Sequence, residues 1–588
     1  MVVRRRPQRG HRYTESPLLQ LALQGWRSRV LGVLLMAGFL ALILRAFYLQ
    51  VINTDFLQEK GDSRYLRDIE ISASRGKVTD RHGDVLAVST PMKAVWAIPG
   101  DARKMSGEQK RQLAGLLEMK VRELDARLAA EKTFVFVKRQ VPPQTAEQVA
   151  GLKFPGVHQE EEYRRYYPAG EMTAHLVGFT NVDDKGQEGV ELAFQDALLG
   201  RAGARTVIRD RRGNIIEDVG ATRAPRDGAD IALAIDSKIQ YLAYSHLKTA
   251  VSESQAKGGG IVVMDTRTGE ILALANWPTY NPNNRARLSG EQLRNRAVTD
   301  TFEPGSTLKP FSVALGLERG KYRYDTVIDC APGRITVGKA TISDAHAHGL
   351  LTVAGVIQKS SNVGTTKIAL SLPAEAMWDM FDNLGFGKPP RLGFPGEVGG
   401  RLRPWKSWRP IEQATMSYGH GISVSLIQLA RAYTVFARDG DLPPASLLRI
   451  DTPVVRGTPV YSAQTAKEMR AMLEMVVKPG GTAPKAAIPG YRVGGKTGTA
   501  HKLEGGVYAK KYIASFVGIA PISDPRLVVA VMIDEPSAGK YYGGQIAGPV
   551  FAQVMGGALR TLGVPPDEPV MQVVANSGPP GKLARGNL

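Results

Sequence analysis

Phe302-Glu303-Pro304-Gly305-Ser306-Thr307-Leu308-Lys309-Pro310-Phe311-Ser312-Val313-Ala314-Leu315-Gly316-Leu317 places a serine and a lysine at the mouth of an apolar run. Leu308, Phe311, Val313, Ala314 and Leu317 recur at helical spacing, which predicts a buried helix opening near Ser306. One turn apart on such a helix, Ser306 and Lys309 project to the same side, and the amine can take the hydroxyl proton. Gly305 gives the backbone freedom before the serine, and Pro310 is tolerable within a first turn. A helix N-terminus also offers free N–H groups to an oxyanion forming on a substrate carbonyl. Lysine is a base only when neutral; burial and a second cation both depress its pKa, and Lys496 is the candidate cation.

Ser-x-x-Lys alone is weak. Ser74 to Lys77, Ser254 to Lys257 and Ser537 to Lys540 match as well, but each runs into glycine and none opens an apolar helix. Weight comes from two further clusters in order, Ser360-Ser361-Asn362 and Lys496-Thr497-Gly498-Thr499. In the first, a loop or short turn, the Ser360 hydroxyl can relay protons and the Asn362 amide can grip a substrate amide, although as an isolated tripeptide it reads as surface loop. On a strand edge, Lys496, Thr497 and Thr499 can hold a substrate carboxylate, with Gly498 permitting close backbone approach.

Gly490-Tyr491-Arg492-Val493-Gly494-Gly495-Lys496-Thr497 also satisfies the phosphate-loop pattern, and residues 527–534 imitate the strand ending in aspartate that such enzymes use for magnesium. The context opposes a nucleotide hydrolase. No adequate strand precedes Gly490, and Gly498, Gly505 and Gly506 deny the helix that must follow. His346 and His348 lack a third ligand and read as loop residues, so neither metal nor cofactor is expected. No G-x-S-x-G elbow supports a Ser-His-Asp hydrolase.

The 588 residues exceed one ordinary core and predict several domains. Their net charge of +20 is spread along the chain without a nucleic-acid-binding signature and suits work beside anionic lipid or polymer. The lone Cys330 excludes an internal disulfide framework and reads as a core or strand-end residue. Arg4, Arg5, Arg6, Arg9, Arg12, Arg27 and Arg29 precede an apolar run over residues 30–44 that continues past Arg45. This predicts a membrane anchor with a cytoplasmic N-terminus, everything after about residue 50 being exported. A cleaved signal peptide is the alternative, but Arg45, Phe47, Tyr48 and Gln50 stand where small residues would be needed.

Boundaries are expected as follows: a basic cytoplasmic tail over 1–29, the anchor over 30–50, a strand-rich pedestal with amphipathic helices over 51–228, a catalytic domain over 229–563 and a disordered tail over 564–588. Within the pedestal, Asp80-Arg81-His82-Gly83 predicts a tight turn and Ser106 with Gln109 a capping box. Within the catalytic domain, residues 258–275 predict a hairpin, 513–519 and 527–533 two buried strands, and 549–562 a closing helix.

With its three polar clusters in order, the sequence resembles the class B penicillin-binding proteins of the FtsI type, the septal peptidoglycan D,D-transpeptidases. Arg75-Gly76, Arg165-Tyr166-Tyr167-Pro168-Ala169-Gly170 and residues 184–191 resemble the class B pedestal motifs, and Tyr280-Asn281-Pro282-Asn283-Asn284, Phe302 to Ser306 and Tyr541-Tyr542-Gly543-Gly544 look FtsI-like. The resemblance implies an α+β multi-domain fold: one transmembrane helix, an extended pedestal and a transpeptidase domain with a mainly antiparallel sheet between helices. It implies Ser306 as nucleophile, Lys309 as base and Ser360 as relay. Asn362, Lys496, Thr497, Gly498 and Thr499 would bind substrate, with the backbone N–H groups of Ser306 and Thr499 as oxyanion hole. The implied partners are stem peptides, lipid-linked glycan strands, β-lactams and division-complex membrane proteins including an FtsW-type glycosyltransferase. The implied place is the inner membrane at the division septum. A specialised paralogue, an elongation-type transpeptidase, a carboxypeptidase, a β-lactamase or an idle β-lactam-binding scaffold would share these motifs.

Overall fold

The computed structural model describes residues 25–209, 215–452 and 454–568. The arginines between Arg4 and Arg12, and residues 569–588 of the expected disordered tail, lie outside them. The chain divides into two compact units, residues up to 71 with 202–225, and residues 72–201 with 226 onward.

In the first unit, helix α1 (Gly25–Phe47) runs on through a π-helical turn, Tyr48–Ile52, so that 28 residues form one apolar rod. At ~1.5 Å per residue the rod is about 40 Å long, enough to cross a hydrocarbon layer. No side chain of α1 is buried against protein, and the Arg45 guanidinium lies 5.4 Å from the Tyr48 ring centre. A three-stranded antiparallel sheet of Leu66–Ile71, Gly203–Arg209 and Ile215–Arg223 completes this unit.

The second unit opens with strands β1 (Val78–Thr79), β2 (Val85–Ala97), β3 (Val135–Val141) and β4 (Val157–Tyr166), β2 pairing with the other three. The turn from β1 to β2 closes as expected: Asp80 Oδ1 accepts from the N–H groups of His82 and Asp84 at 2.8 and 2.9 Å. The capping box of Ser106 and Gln109 is formed, and its helix helps enclose a small core around Leu113, Leu124 and Val137. Residues 163 to about 219, expected to be strand-rich, do carry strand at 163–166, 203–209 and 215–219, but residues 170–198 between them form a chain of short helices. Its Glu191 accepts from Arg75 Nε at 2.6 Å and Arg165 Nε at 2.7 Å, all three side chains being buried. That ion triad is what fixes these helices against the strands.

The helices that concern the site are α2 (Ser237–Glu253), α3 (Lys309–Glu318), α4 (Val353–Lys359), α5 (Asn362–Leu370), α6 (Leu426–Ala437) and α7 (Gly543–Thr561). Strands β5 (Gly258–Asp265), β6 (Ile271–Trp277), β7 (Gly494–Glu504), β8 (Val507–Ala520) and β9 (Leu527–Asp534) form one antiparallel sheet in the order β6-β5-β9-β8-β7. Every residue of β5 and β9 is buried, as covering on both faces requires. A Cβ on Gly259 would meet Leu247 of α2 at 3.0 Å and one on Gly260 would meet Leu426 of α6 at 3.2 Å. Successive residues point to opposite faces, so α2 and α6 sandwich the sheet.

The closing helix starts at Gly543, ahead of the expected residue 549, and Pro549 sits inside it. Packing of Val550, Phe551 and Val554 into the core offsets the one hydrogen bond that proline forgoes. Past the helix, Asp567 accepts from Arg492 N at 2.7 Å and Ser523 Oγ at 2.7 Å, tying down the first residues of the expected tail. Cys330 is buried one residue after strand Val327–Asp329, in keeping with its reading from sequence.

Candidate active site

Ser306 lies on a single 3₁₀ turn, Gly305–Leu308, and α3 begins only at Lys309 with Pro310 in its first turn. The expected helix is therefore present but starts three residues later. Gly305 holds φ at +58° and donates its N–H to Gly419 O at 3.1 Å, a conformation that favours glycine. Tyr433 of α6 donates to Thr307 O at 2.7 Å, while Phe311 packs on Tyr433 and Phe436 with centroids 5.3 and 5.0 Å away. The turn is thus anchored from behind, and Ser306 is half-buried at its front.

Lys309 and Lys496 are both buried, Lys309 from α3 and Lys496 from the edge strand β7. Their Nζ atoms stand 3.0 and 2.9 Å from a single atom, Ser360 Oγ. Lys309 Nζ also donates to Ser360 O at 2.5 Å. Ser360 ends α4 in the left-handed region at φ +59°, and Asn362 opens α5. The tripeptide that reads alone as surface loop is a tight junction between two helices. Ser306 Oγ makes no hydrogen bond to the described residues, so in this state Lys309 faces Ser360 rather than the adjacent hydroxyl. Such bonds tighten when substrate binds.

Burial drives the Lys309 pKa down to about 7, Asp344 acting in the opposite sense. Burial and the charge of Lys309 push Lys496 well below its ordinary value. Burial and Lys496 were both expected to depress Lys309; burial is the cause seen, and the charge between the two lysines is felt at Lys496 instead. Two ammonium groups bonded to one hydroxyl repel, so near neutrality the pair holds fewer than two protons. A hydroxyl between an amine and an ammonium donates to one and accepts from the other, which is the arrangement of a proton relay.

Edge strand β7 carries the third cluster. Thr497 Oγ1 is 3.0 Å from Thr482 Oγ1, and Thr499 Oγ1 accepts from Gly543 N at 3.0 Å. A Cβ on Gly498 would come within 2.8 Å of Pro304 O and 3.0 Å of Thr307 Cγ2, so glycine is what lets this strand lie against the turn that carries Ser306. The phosphate-loop letters end in this strand, with no helix after Thr497, and the nucleotide reading fails on its own criterion.

Asn362 Nδ2 donates to Ser343 O at 2.8 Å. Asp344 accepts from Ser361 Oγ at 2.8 Å, from Val363 N at 3.0 Å and from Asn362 N, so it holds the helix junction that presents Ser360. Sequence reasoning missed Asp344 and Thr482, and it quoted Gly543 only within the FtsI-like stretch, without a role. No local pattern marks Asp344 or Thr482; only folding brings them to the motifs. His346 and His348 lie in the loop after Asp344.

A serine, two buried lysines around a second serine, and an edge strand beside them form a pattern that can be compared with known proteins. The chain matches the penicillin binding protein transpeptidase domain over residues 259–556 and the penicillin-binding protein dimerisation domain over residues 70–233. It belongs to the penicillin-binding protein transpeptidases. A relative from Neisseria gonorrhoeae named probable peptidoglycan D,D-transpeptidase PenA is 47% identical over 537 residues, 90% of this chain and 92% of its own. The peptidoglycan D,D-transpeptidase FtsI of Escherichia coli is 44% identical over 549 residues, 92% of this chain and 93% of its own. Among solved structures, the transpeptidase domain of Burkholderia pseudomallei penicillin-binding protein 3 is 52% identical, with a TM-score of 0.53, covering 57% of this chain and 98% of that one. A peptidoglycan synthetase from Bifidobacterium adolescentis is 26% identical with a TM-score of 0.69, covering 86% of this chain and 98% of that one. In this penicillin-binding protein the expected α+β architecture is present, with one apolar N-terminal helix, a pedestal, and an antiparallel sheet between helices.

Proposed function

We propose that this protein is a membrane-anchored peptidoglycan D,D-transpeptidase of the division septum, working through an acyl-enzyme on Ser306. The observation that carries the reading is the Ser360 hydroxyl held between the Nζ atoms of Lys309 and Lys496, beside a half-buried serine with a free hydroxyl. The names of the relatives from Neisseria and Escherichia coli support the same chemistry.

Ser306 Oγ attacks the D-Ala-D-Ala carbonyl of a stem peptide, and neutral Lys309 takes its proton. The tetrahedral oxyanion is met by the backbone N–H groups of Ser306 and Thr499. Its collapse breaks the peptide bond and expels D-alanine, whose amine receives a proton relayed through Ser360. Lys496, Thr497 and Thr499 hold the terminal carboxylate, Gly498 lets the strand approach, and Asn362 contacts the peptide amide. The amine of a neighbouring stem then attacks the ester, loses its proton through the same relay and restores Ser306. A β-lactam enters the first step and stops there.

The apolar rod anchors the chain in the inner membrane, with the N-terminus cytoplasmic and the catalytic domain outside. Lipid-linked glycan strands and an FtsW-type glycosyltransferase of the division complex are the partners this placement calls for. Intact-mass measurement after exposure to labelled penicillin is the test. The wild-type chain gains one stable adduct and Ser306→Ala gains none; an adduct elsewhere, or rapid release of hydrolysed drug, sinks the proposal.

A further inference from the structure

Glu303, three residues ahead of the nucleophile, has no part in the mechanism above. It is half-buried, and its carboxylate accepts from Gly421 N at 2.8 Å and from Tyr508 Oη at 3.0 Å. Among the described residues no Lys, Arg or His lies in ion-pair contact with it. Glu191, Glu474 and Asp534 each meet a cation, Arg75 with Arg165, Arg492 and Lys502 respectively, and Asp80 and Asp344, which meet none, are each held by three donors where Glu303 has two. A sheltered charge without a counter-ion is unfavourable unless something cationic comes to it.

The neighbouring imidazole does not supply that cation. Burial lowers the His420 pKa, the charges of Lys309 and His501 lower it further, and only Glu303 acts the other way. His420 is therefore neutral, and it lies within electrostatic range of both Glu303 and Lys309. Its ring centre is 6.0 Å from that of Tyr508. The carboxylate, three residues along the chain from Ser306, is thus bonded to the Tyr508 phenol and within electrostatic range of the His420 ring.

Transfer of the acyl group to an amine makes a specific demand that hydrolysis does not. The incoming amine is an ammonium in neutral water and must be drawn to the ester before it loses its proton. We propose that Glu303 is the specificity-determining residue of the second half-reaction, binding the ammonium of the acceptor stem peptide and so favouring amine over water. This rests on the acyl-transfer reading of Ser306. The ammonium loses one proton to neutral Lys309 and from there to water, and the free amine attacks the ester carbonyl; as the C–O bond to Ser306 breaks, the second nitrogen proton passes to Ser306 Oγ. Glu303 itself exchanges nothing.

The test uses the full chain, an acyl-D-alanyl thioester as donor and a synthetic stem tripeptide with a free side-chain amine as acceptor. The readout is the ratio of transfer product to hydrolysis product. Loss of a charge-assisted contact predicts that Glu303→Gln lowers this ratio about tenfold, while Glu303→Asp recovers part of it. Rising salt should lower the wild-type ratio toward that of the Gln variant. An unchanged ratio in Glu303→Gln overturns the proposal. Should that variant not fold, seen as absence of any penicillin adduct, a wild-type ratio indifferent to salt overturns it equally. If the wild-type chain fails to consume the thioester, the acyl-transfer reading itself has failed, a result distinct from an altered ratio.

Discussion

At the scale of single residues, the site depends on where protons sit between Lys309, Ser360 and Lys496. Because burial brings Lys309 to about 7, the amine is protonated below that value and free to accept above it. The rate of acylation by labelled penicillin should therefore rise with pH through an inflection near 7, falling about tenfold per unit on the acid side. A flat profile from pH 5.5 to 8 would contradict the assignment of Lys309 as base. Removing the bridging hydroxyl in Ser360→Ala should slow acylation on the order of a hundredfold, with the far-ultraviolet circular dichroism unchanged. The identities of these residues were legible as three clusters in order. Their state was not, since a lysine's pKa depends on burial that no local pattern records. Nor was Asp344, whose bonds to the Ser361–Val363 backbone and hydroxyl arise only when the chain folds back 17 to 19 residues later.

At the scale of elements, the turn that carries Ser306 and edge strand β7 are set by backbone proximity. Gly498→Ala would place a methyl group within 3.0 Å of Pro304 O and Thr307 Cγ2, and such overpacking costs about 1–3 kcal/mol. The turn carrying Ser306 must shift, so acylation should drop at least tenfold while the melting temperature falls by only a few degrees; acylation at the wild-type rate would show that the strand and turn do not need this fit. The hairpin of β5 and β6 and the pair β8 and β9 were readable because fully buried strands appear as short continuous apolar runs bounded by turns. Only the middle of the stretch from 163 to about 219 was misread, because the helices of 170–198 are about one turn long and are held by tertiary ion pairs rather than by helical periodicity. The start of α7 was likewise hidden: glycine and proline argue against helix locally, and packing against β8 overrides them.

At the scale of the whole molecule, two features are separable. Within the second unit, Glu191 binds two buried arginines. Glu191→Ala leaves both guanidiniums uncompensated, which costs about 3–5 kcal/mol, and calorimetry should show a lowered melting temperature even with penicillin bound; an unaltered transition would mean that the triad contributes little to stability. In the first unit, the apolar rod Gly25–Ile52 is long and apolar enough to cross a membrane. A chain lacking residues 1–52 should remain in the supernatant after high-speed centrifugation of lysed cells while the intact chain sediments with membranes. By itself, the sequence determined the anchor, the strand-rich domains and the residue types of the site, because apolar length, periodicity and short-range spacing are local properties. Only the tertiary structure decided that one serine hydroxyl lies between two lysines from different elements, that an aspartate outside the motifs holds the junction, and that Glu303 meets Gly421 and Tyr508 but no cation among the described residues. Distances between residues remote in the chain, and the dielectric around them, exist only after the chain has packed.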